Sequence, residues 1–214
     1  MTDVDRGRIL VVCTGNVCRS PFVEHLLTRA LGPQIEVQSA GTAALLFSPM
    51  ERRAAAQLRA WGIDPTSFVA RQLVPAMVAE ADLVLTATRA HRGQVAALHP
   101  PALAYSFTLA DFSQLVRAGT DARQPPLTPS STEHSGLAAV VRQAAARRGI
   151  SPPLRAVEVD LVDPFRRGDA VFRRMVEQVS AVLPPVVDAL CVAAGTRAEP
   201  GPAAYALRGE VGPL

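Results

Sequence analysis

The chain contains no lysine: its 22 basic residues are all arginine, set against 19 acidic ones for a formal charge of +3. With Ala and Pro abundant, this bias reads as the composition of a GC-rich genome. Pairs such as Arg52-Arg53, Arg147-Arg148 and Arg173-Arg174 are therefore expected on solvated helix faces, and no nucleic-acid partner is expected. Long hydrophobic runs are also missing. Hydrophobic residues make up 49% of the chain, yet the unbroken apolar runs are only a few residues long. None approaches the roughly 20 residues that cross a bilayer, so no membrane insertion is expected. The run Ile9-Leu10-Val11-Val12 is too short for a signal-peptide core and has no small-residue cleavage site after it, which makes the cytoplasm the default location. Cysteine is sparse and odd in number: Cys13, Cys18 and Cys191. Such a set is a poor disulfide framework and has no metal-ligand spacing with His, but it suits a reducing compartment. No cofactor is called for.

What is present alternates. The 214 residues suffice for one domain with a sizeable core. Arg8 to Val12 reads as a short buried strand, and Pro21 to Ala30 as a helix stopped by Gly32-Pro33. Ile35 to Val37 is a second strand, Met50 to Trp61 a helix, and Asp82 to Thr86 a third strand. Arg89 to Leu98 is a helix, Leu103 to Phe107 a fourth strand and Leu109 to Ala118 a helix. This alternation predicts an α/β fold, a four-stranded parallel sheet flanked by helices on both faces. The stretch 119–153 turns to Pro, Ser, Thr and Ala and reads as a mobile, irregular insertion, with a possible short helix at Leu137 to Arg148. Phe172 to Leu183 is helical again, and Pro184-Pro185 should break or kink it before Val186 to Val192. The expected organisation is one domain over 1–194 and a poorly ordered Gly/Pro/Ala tail over 195–214.

The chemistry concentrates in Val12-Cys13-Thr14-Gly15-Asn16-Val17-Cys18-Arg19-Ser20-Pro21. Cys13 and Arg19 bracket five residues between a strand end and a helix start, where α/β proteins place their binding sites. A loop of that length can turn the backbone N–H groups of Thr14, Gly15, Asn16, Val17 and Cys18 toward one centre. With the positive end of the following helix they form a nest for an anion. Gly15 is expected to supply a conformation that a Cβ would resist. The same field and the Arg19 guanidinium favour a Cys13 thiolate, which is the nucleophilic form. Arg19 presents a fork for two phosphoryl oxygens, Ser20 can donate to the thiolate or the leaving thiol, and Asn16 braces the loop. Against this, a lone Cys six residues before an Arg is common and is often just a small buried residue. The strand before, the Gly and Asn inside, and the Ser-Pro and helix after it favour the catalytic reading.

The loop Cys-Thr-Gly-Asn-Val-Cys-Arg-Ser-Pro resembles the phosphate loop of the low-molecular-weight protein tyrosine phosphatases of bacterial type. Ser39-Ala40-Gly41-Thr42, Gly62-Ile63-Asp64, Ala70-Arg71-Gln72-Leu73, Ala81-Asp82-Leu83-Val84-Leu85 and Asp163-Pro164-Phe165 fit as well, so that the resemblance spans about 8–118 and 157–192. It implies catalysis by Cys13, Arg19 and Asp163 through a phosphocysteine, with phosphotyrosyl protein or a small phosphate ester as substrate. Asp163 would be the general acid, Pro164 would stiffen its loop, and Phe165 would pack on an aromatic leaving group. Cys18 is either a reversible disulfide partner of Cys13 or a small packing residue, and Cys191 a helix core residue. Where relatives carry a His that braces the loop Asn, this chain has Phe68, which leaves the bracing of Asn16 to other groups. Ala43 to Phe47, where many relatives place a cleft Trp, and Arg166, where several have Tyr, alter the walls that select the leaving group. An arsenate reductase on the same fold stays open if Cys191 reaches the site. A sugar-transport phosphocysteine carrier and a non-catalytic phosphate- or phosphoprotein-binding module stay open too. Oligomeric state is unknown.

Overall fold

The computed structural model of the chain describes residues 7–120, 136–152 and 154–195. Four strands, β1 (Gly7–Cys13), β2 (Ile35–Gly41), β3 (Leu83–Thr86) and β4 (Ser106–Thr108), form one parallel sheet in the order β2-β1-β3-β4. β1 is central and buried on both faces from Ile9 to Cys13, as its unbroken apolar run requires. Its alternate residues feed two cores. Ile9 and Val11 join Leu83 and Leu85 beneath α1 (Arg19–Leu31) and α8 (Asp169–Ala194). Leu10, Val12 and Val84 face Val78 of α3 (Pro75–Ala79) and Val95 of α4 (Arg89–Leu98) on the other side. The expected α/β sheet with helices on both faces is present.

Several boundaries differ from the sequence reading. The helix α1 starts at Arg19, two residues before Pro21, because the loop's last turn is already helical; Gly32 at φ 64° ends it as expected. β2 runs on to Gly41, and β4 begins only at Ser106, since Pro100–Ala104 forms a 3₁₀ turn. α2 spans Arg52–Ala60, with Glu51 accepting from the backbone N–H groups of Arg53 and Ala54. The short α3 and α7 (Ala156–Val159) lacked a periodic pattern long enough to read.

Of the stretch expected to be a mobile insertion, 121–135 and 153 lie outside the described residues, as does the tail 196–214. The helix foreseen near Leu137 is α6 (Leu137–Ala146), but it is not loose. Leu137, Val141 and Ala144 are buried, and α6 packs on α8 and on α5 (Leu109–Thr120). The next residues also depart from a solvated face: Arg147 is buried, and the Arg148 guanidinium lies 3.8 Å over the Phe107 ring and donates to the carbonyls of Leu103 (2.5 Å) and Ser106 (2.6 Å). Burial pushes the Arg148 guanidinium down to about 10. Arg52, Arg173 and Arg174 are exposed, as expected.

α8 corrects one further expectation. Pro184 and Pro185 do not break it; it continues to Ala194 and ends at Gly195 in the left-handed region. The uninterrupted helix is long and apolar enough, by length and composition, to cross a membrane, with a mean hydropathy of 1.5. Its apolar stripe is used in the core instead: Phe172, Met175, Val179, Leu183, Val186 and Leu190 are buried, facing α1 and α5.

Candidate active site

In the loop between β1 and α1 five carbonyls accept hydrogen bonds from neighbouring residues. Cys13 O accepts from Thr42 N (2.9 Å), Thr14 O from Ala43 N (3.0 Å), and Gly15 O from Leu45 N (3.0 Å). Val17 O accepts from Glu51 N (2.7 Å) and Cys18 O from Phe22 N (3.1 Å). Among the described residues, none of the N–H groups from Thr14 to Cys18 donates a hydrogen bond. A peptide plane whose oxygen points out points its next N–H in, so the loop concentrates donors on one side at the N-terminus of α1. The close approach depends on Gly41, opposite Cys13 in the sheet register, where a Cβ would lie 2.4 Å from Thr14 O.

The loop's left-handed residue is Asn16 (φ 52°), not Gly15 as the sequence suggested; a Cβ on Gly15 would make only ordinary contacts with Val17 and Leu45. Asn16 is fully buried and tied down at both ends of its amide. Its Nδ2 donates to Ser20 Oγ (2.9 Å) and Ser39 Oγ (2.7 Å), and its Oδ1 accepts from Arg71 N (2.8 Å). Ser39 Oγ in turn donates to Glu24, whose carboxyl is raised above its ordinary range by burial and lowered in part by that bond. These groups take the place of the bracing His that Phe68 replaces; Phe68 itself is buried, with its ring edge-on to His25.

Cys13 Sγ lies 2.9 Å from Ser20 Oγ. Arg19 is 4% exposed; its Nη2 pairs with Asp163 Oδ2 at 2.7 Å and approaches Thr14 Oγ1 at 3.5 Å. Its Nε is buried with no partner, a donor left available beside the loop's N–H groups. Asp163 and Arg19 are 144 positions apart (163 − 19) and meet here. Asp163 is half-exposed, and its Oδ1 accepts from Phe165 N (3.2 Å), curling the loop that carries it. Phe165 is half-buried against the core, with the Arg166 guanidinium 5.2 Å from its ring centroid.

Two positioning residues, Arg53 and His91, were not legible beforehand, and the altered wall expected over Ala43 to Phe47 is found as an apolar rim. Arg53 Nη1 donates to Arg167 O (2.8 Å) and Asp169 Oδ1 (3.0 Å), fastening the segment after Asp163 to α2. His91 is buried between Thr14 and Thr88, and Leu45, Leu46 and Phe47 form an exposed apolar rim beside the loop. Neither Arg53 nor His91 carries a spacing signal; each is defined by a contact between distant segments.

The remaining cysteines are accounted for. Cys18 is buried, and burial, with Glu51 and Cys13 nearby, pushes its thiol well above the ordinary range. Cys191 packs its Sγ 3.7 Å from Ala30 O. Ala30 lies eleven residues beyond Arg19 on α1, about 16 Å along the axis at 1.5 Å per residue. A disulfide shuttle through Cys191 therefore has no short route to Cys13. Among the described residues no cluster of three or more His, Cys, Asp or Glu side chains forms a metal site.

Comparison with known proteins agrees with this geometry. The family profile described as low molecular weight phosphotyrosine protein phosphatase matches residues 8–147. Over 106 residues the chain is 40% identical to a protein of Ralstonia solanacearum named as the probable low molecular weight protein-tyrosine-phosphatase EpsP, covering 50% of this chain and 72% of that one. The Erwinia amylovora tyrosine phosphatase AmsI superposes with a TM-score of 0.62 at 21% identity, covering 89% of this chain and 97% of AmsI. The YwlE arginine phosphatase of Geobacillus stearothermophilus superposes at 0.59 with 25% identity, covering 85% and 91%.

Proposed function

The chain belongs to the low molecular weight phosphotyrosine protein phosphatase family, and from that premise we propose that it hydrolyses phosphotyrosyl protein through a phosphocysteine on Cys13. The observation that carries the reading is the loop's polarity: the carbonyls of Cys13, Thr14, Gly15, Val17 and Cys18 bonded away, every N–H from Thr14 to Cys18 unspent, and a buried Arg19 Nε beside them. That is a receptor for a tetrahedral dianion with a thiol at its base. Asp163 lies beyond the matched stretch 8–147, and its 2.7 Å pair with Arg19 supports its part in the reaction.

In the proposed cycle the phosphoryl group takes the loop N–H groups of Thr14, Gly15, Asn16, Val17 and Cys18 and the fork of Arg19. That substitution releases Asp163 from its ion pair, leaving it at the mouth to carry a proton. Cys13 Sγ attacks phosphorus in line as the P–O bond to the leaving group breaks, and Asp163 gives its proton to the departing oxygen. Ser20, 2.9 Å from Sγ, donates to the thiolate. In the second step Asp163, now a carboxylate, takes a proton from water as it attacks phosphorus. The S–P bond breaks, inorganic phosphate leaves and the thiolate is regenerated. Equatorial charge on the transferring group is held by the loop and Arg19. The rim of Leu45, Leu46 and Phe47, with Phe165, offers an apolar wall to an aryl leaving group. A sparse, odd set of cysteines suits a reducing compartment, and we propose the cytoplasm as the location of the reaction.

The test is hydrolysis of matched phosphotyrosyl, phosphoseryl and phosphoarginyl peptides and an aryl phosphate by wild type, Cys13→Ser and Asp163→Ala. Turnover preferring the tyrosyl peptide, absent in Cys13→Ser, is expected, with acid-trapped phosphocysteine in the wild type. Binding of phosphate without turnover would instead make the loop a binding module.

A further inference from the structure

His91 carries no spacing signal in the chain. It is 6% exposed, in the first turn of α4, with each ring nitrogen on a threonine hydroxyl: Nε2 2.8 Å from Thr14 Oγ1 and Nδ1 2.8 Å from Thr88 Oγ1. Thr14 directly follows Cys13 and is the loop's one exposed residue with a side-chain donor, its hydroxyl. Which way that hydroxyl points depends on where the imidazole carries its proton.

The place of the spare hydroxyl hydrogen separates the two tautomers. Thr88 Oγ1 accepts from His91 N at 3.3 Å as the cap of α4, and it has one hydrogen to give. If that hydrogen goes to Nδ1, the ring proton is on Nε2 and is donated to Thr14 Oγ1. Thr14 Oγ1 then accepts from His91 and, at 3.5 Å, from Arg19 Nη2, and its own hydrogen is free to face the loop's centre. The opposite tautomer leaves the Thr88 hydrogen without an acceptor in a part-buried place and turns the Thr14 hydrogen inward, away from any ligand. Each arrangement leaves one hydroxyl hydrogen unspent within the protein, and the first leaves it on exposed Thr14, where a ligand or water accepts it, whereas the second leaves it on part-buried Thr88. Burial and the Arg19 charge keep the ring neutral, its pKa lowered to about 4 against the opposing pull of Asp163 and Asp160, so a single ring proton is the working state.

We infer that His91 is a positioning residue for the phosphate loop: oriented by Thr88, it donates Nε2–H to Thr14 and thereby aims the Thr14 hydroxyl at a bound phosphoryl oxygen. The inference rests on the phosphatase reading above for what occupies the loop, and on the contacts alone for the proton's place.

Two measurements on the full chain test it. Nitrogen-15 NMR of the histidine rings, with His91 assigned through His91→Gln, is expected to show a neutral Nε2–H imidazole; an Nδ1–H ring overturns the inference whatever the variants' activities. Kinetics then compare His91→Gln, whose amide N–H reaches the place of Nε2, with His91→Leu, which fills the space without a donor. Folding of each is checked by thermal melting. His91→Leu should lose about three- to tenfold in kcat/KM, the worth of one neutral hydrogen bond, and should bind inorganic phosphate more weakly by a similar factor. His91→Gln should recover most of both. Equal impairment in the two variants, or none in His91→Leu, overturns the inference. If the wild type shows no turnover that Cys13→Ser removes, the phosphatase reading fails by itself, and calorimetric phosphate binding by the same variants still decides the role of His91.

Discussion

Replacing Gly41 by Ala should disable the enzyme while leaving it folded. The added Cβ would lie 2.4 Å from Thr14 O and 3.0 Å from both Asn16 N and Asn16 Cβ. All three belong to the loop, and two are backbone, so no flexible side chain can swing aside. Carbon and oxygen do not pack closer than about 3.0–3.4 Å, so the two segments must part by roughly 0.6–1 Å, an overpacking that costs typically about 1–3 kcal/mol. Movement in that direction strains Thr42 N to Cys13 O and Ala43 N to Thr14 O, the bonds that hold the first two carbonyls outward. A misplacement of about 1 Å near reacting groups is worth on the order of a hundredfold in rate. The assay is kcat/KM on an aryl phosphate alongside thermal unfolding, with Gly93→Ala as control. Gly93 lies in α4 with nothing within 4 Å of its built Cβ, so its replacement should leave activity intact and stabilise by about 0.5–1 kcal/mol. A Gly41→Ala protein with wild-type kcat/KM would refute the claim that this approach shapes the anion site.

Asp163→Asn removes a half-exposed ion pair, so stability should change by less than about 1 kcal/mol, while turnover of poor leaving groups falls about 10²–10⁴-fold and inorganic phosphate binds more tightly to the released Arg19; competitive inhibition and melting read all three. Asn16→Ala forfeits three buried hydrogen bonds at a left-handed residue and should destabilise by about 3–5 kcal/mol in denaturant unfolding, with Asn16→Gly milder because it accepts the φ of 52°. His91, whose folded pKa of about 4 lies below the ordinary 6.5, binds fewer protons folded than unfolded between those values. Its contribution is therefore whole above pH 6.5 and is lost as pH falls toward 4, a slope that His91→Gln should flatten in pH-dependent melts. Arg53→Met frees the segment carrying Arg167 and Asp169 and should lower kcat with little effect on phosphate inhibition.

The sequence carried the sheet and the loop because both are local. A buried strand, a small polar loop and a helix start sit within residues 8–31, and strand-helix alternation implies parallel pairing. It misplaced the strained residue, since the left-handed position is chosen by the three bonds at the Asn16 side chain, and Gly15 needs none. It expected a break or kink at Pro184-Pro185, and the helix is not broken there because packing of Leu183, Val186 and Val187 on the core outweighs the lost helix bonds. Arg147-Arg148 read as surface because a guanidinium lying on Phe107 and capping two carbonyls leaves no pattern in the chain. His91 and Arg53 escaped for the same reason: both act across more than seventy positions, and a periodicity has no memory of that length.

The way segment 42–51 holds the loop has a bearing on how such an enzyme diversifies. Thr42, Ala43, Leu45 and Glu51 grip it solely through their main-chain N–H groups, so the grip is indifferent to what side chains those positions bear, proline excepted. Meanwhile Leu45, Leu46 and Phe47 stand outward at the mouth. Mutation at these positions can retune which phosphorylated partner is admitted without touching the machinery that breaks the ester. Selectivity is thereby a readily evolvable trait, carried by a rim in the same short segment whose main chain keeps the loop constant, with Leu45 serving both.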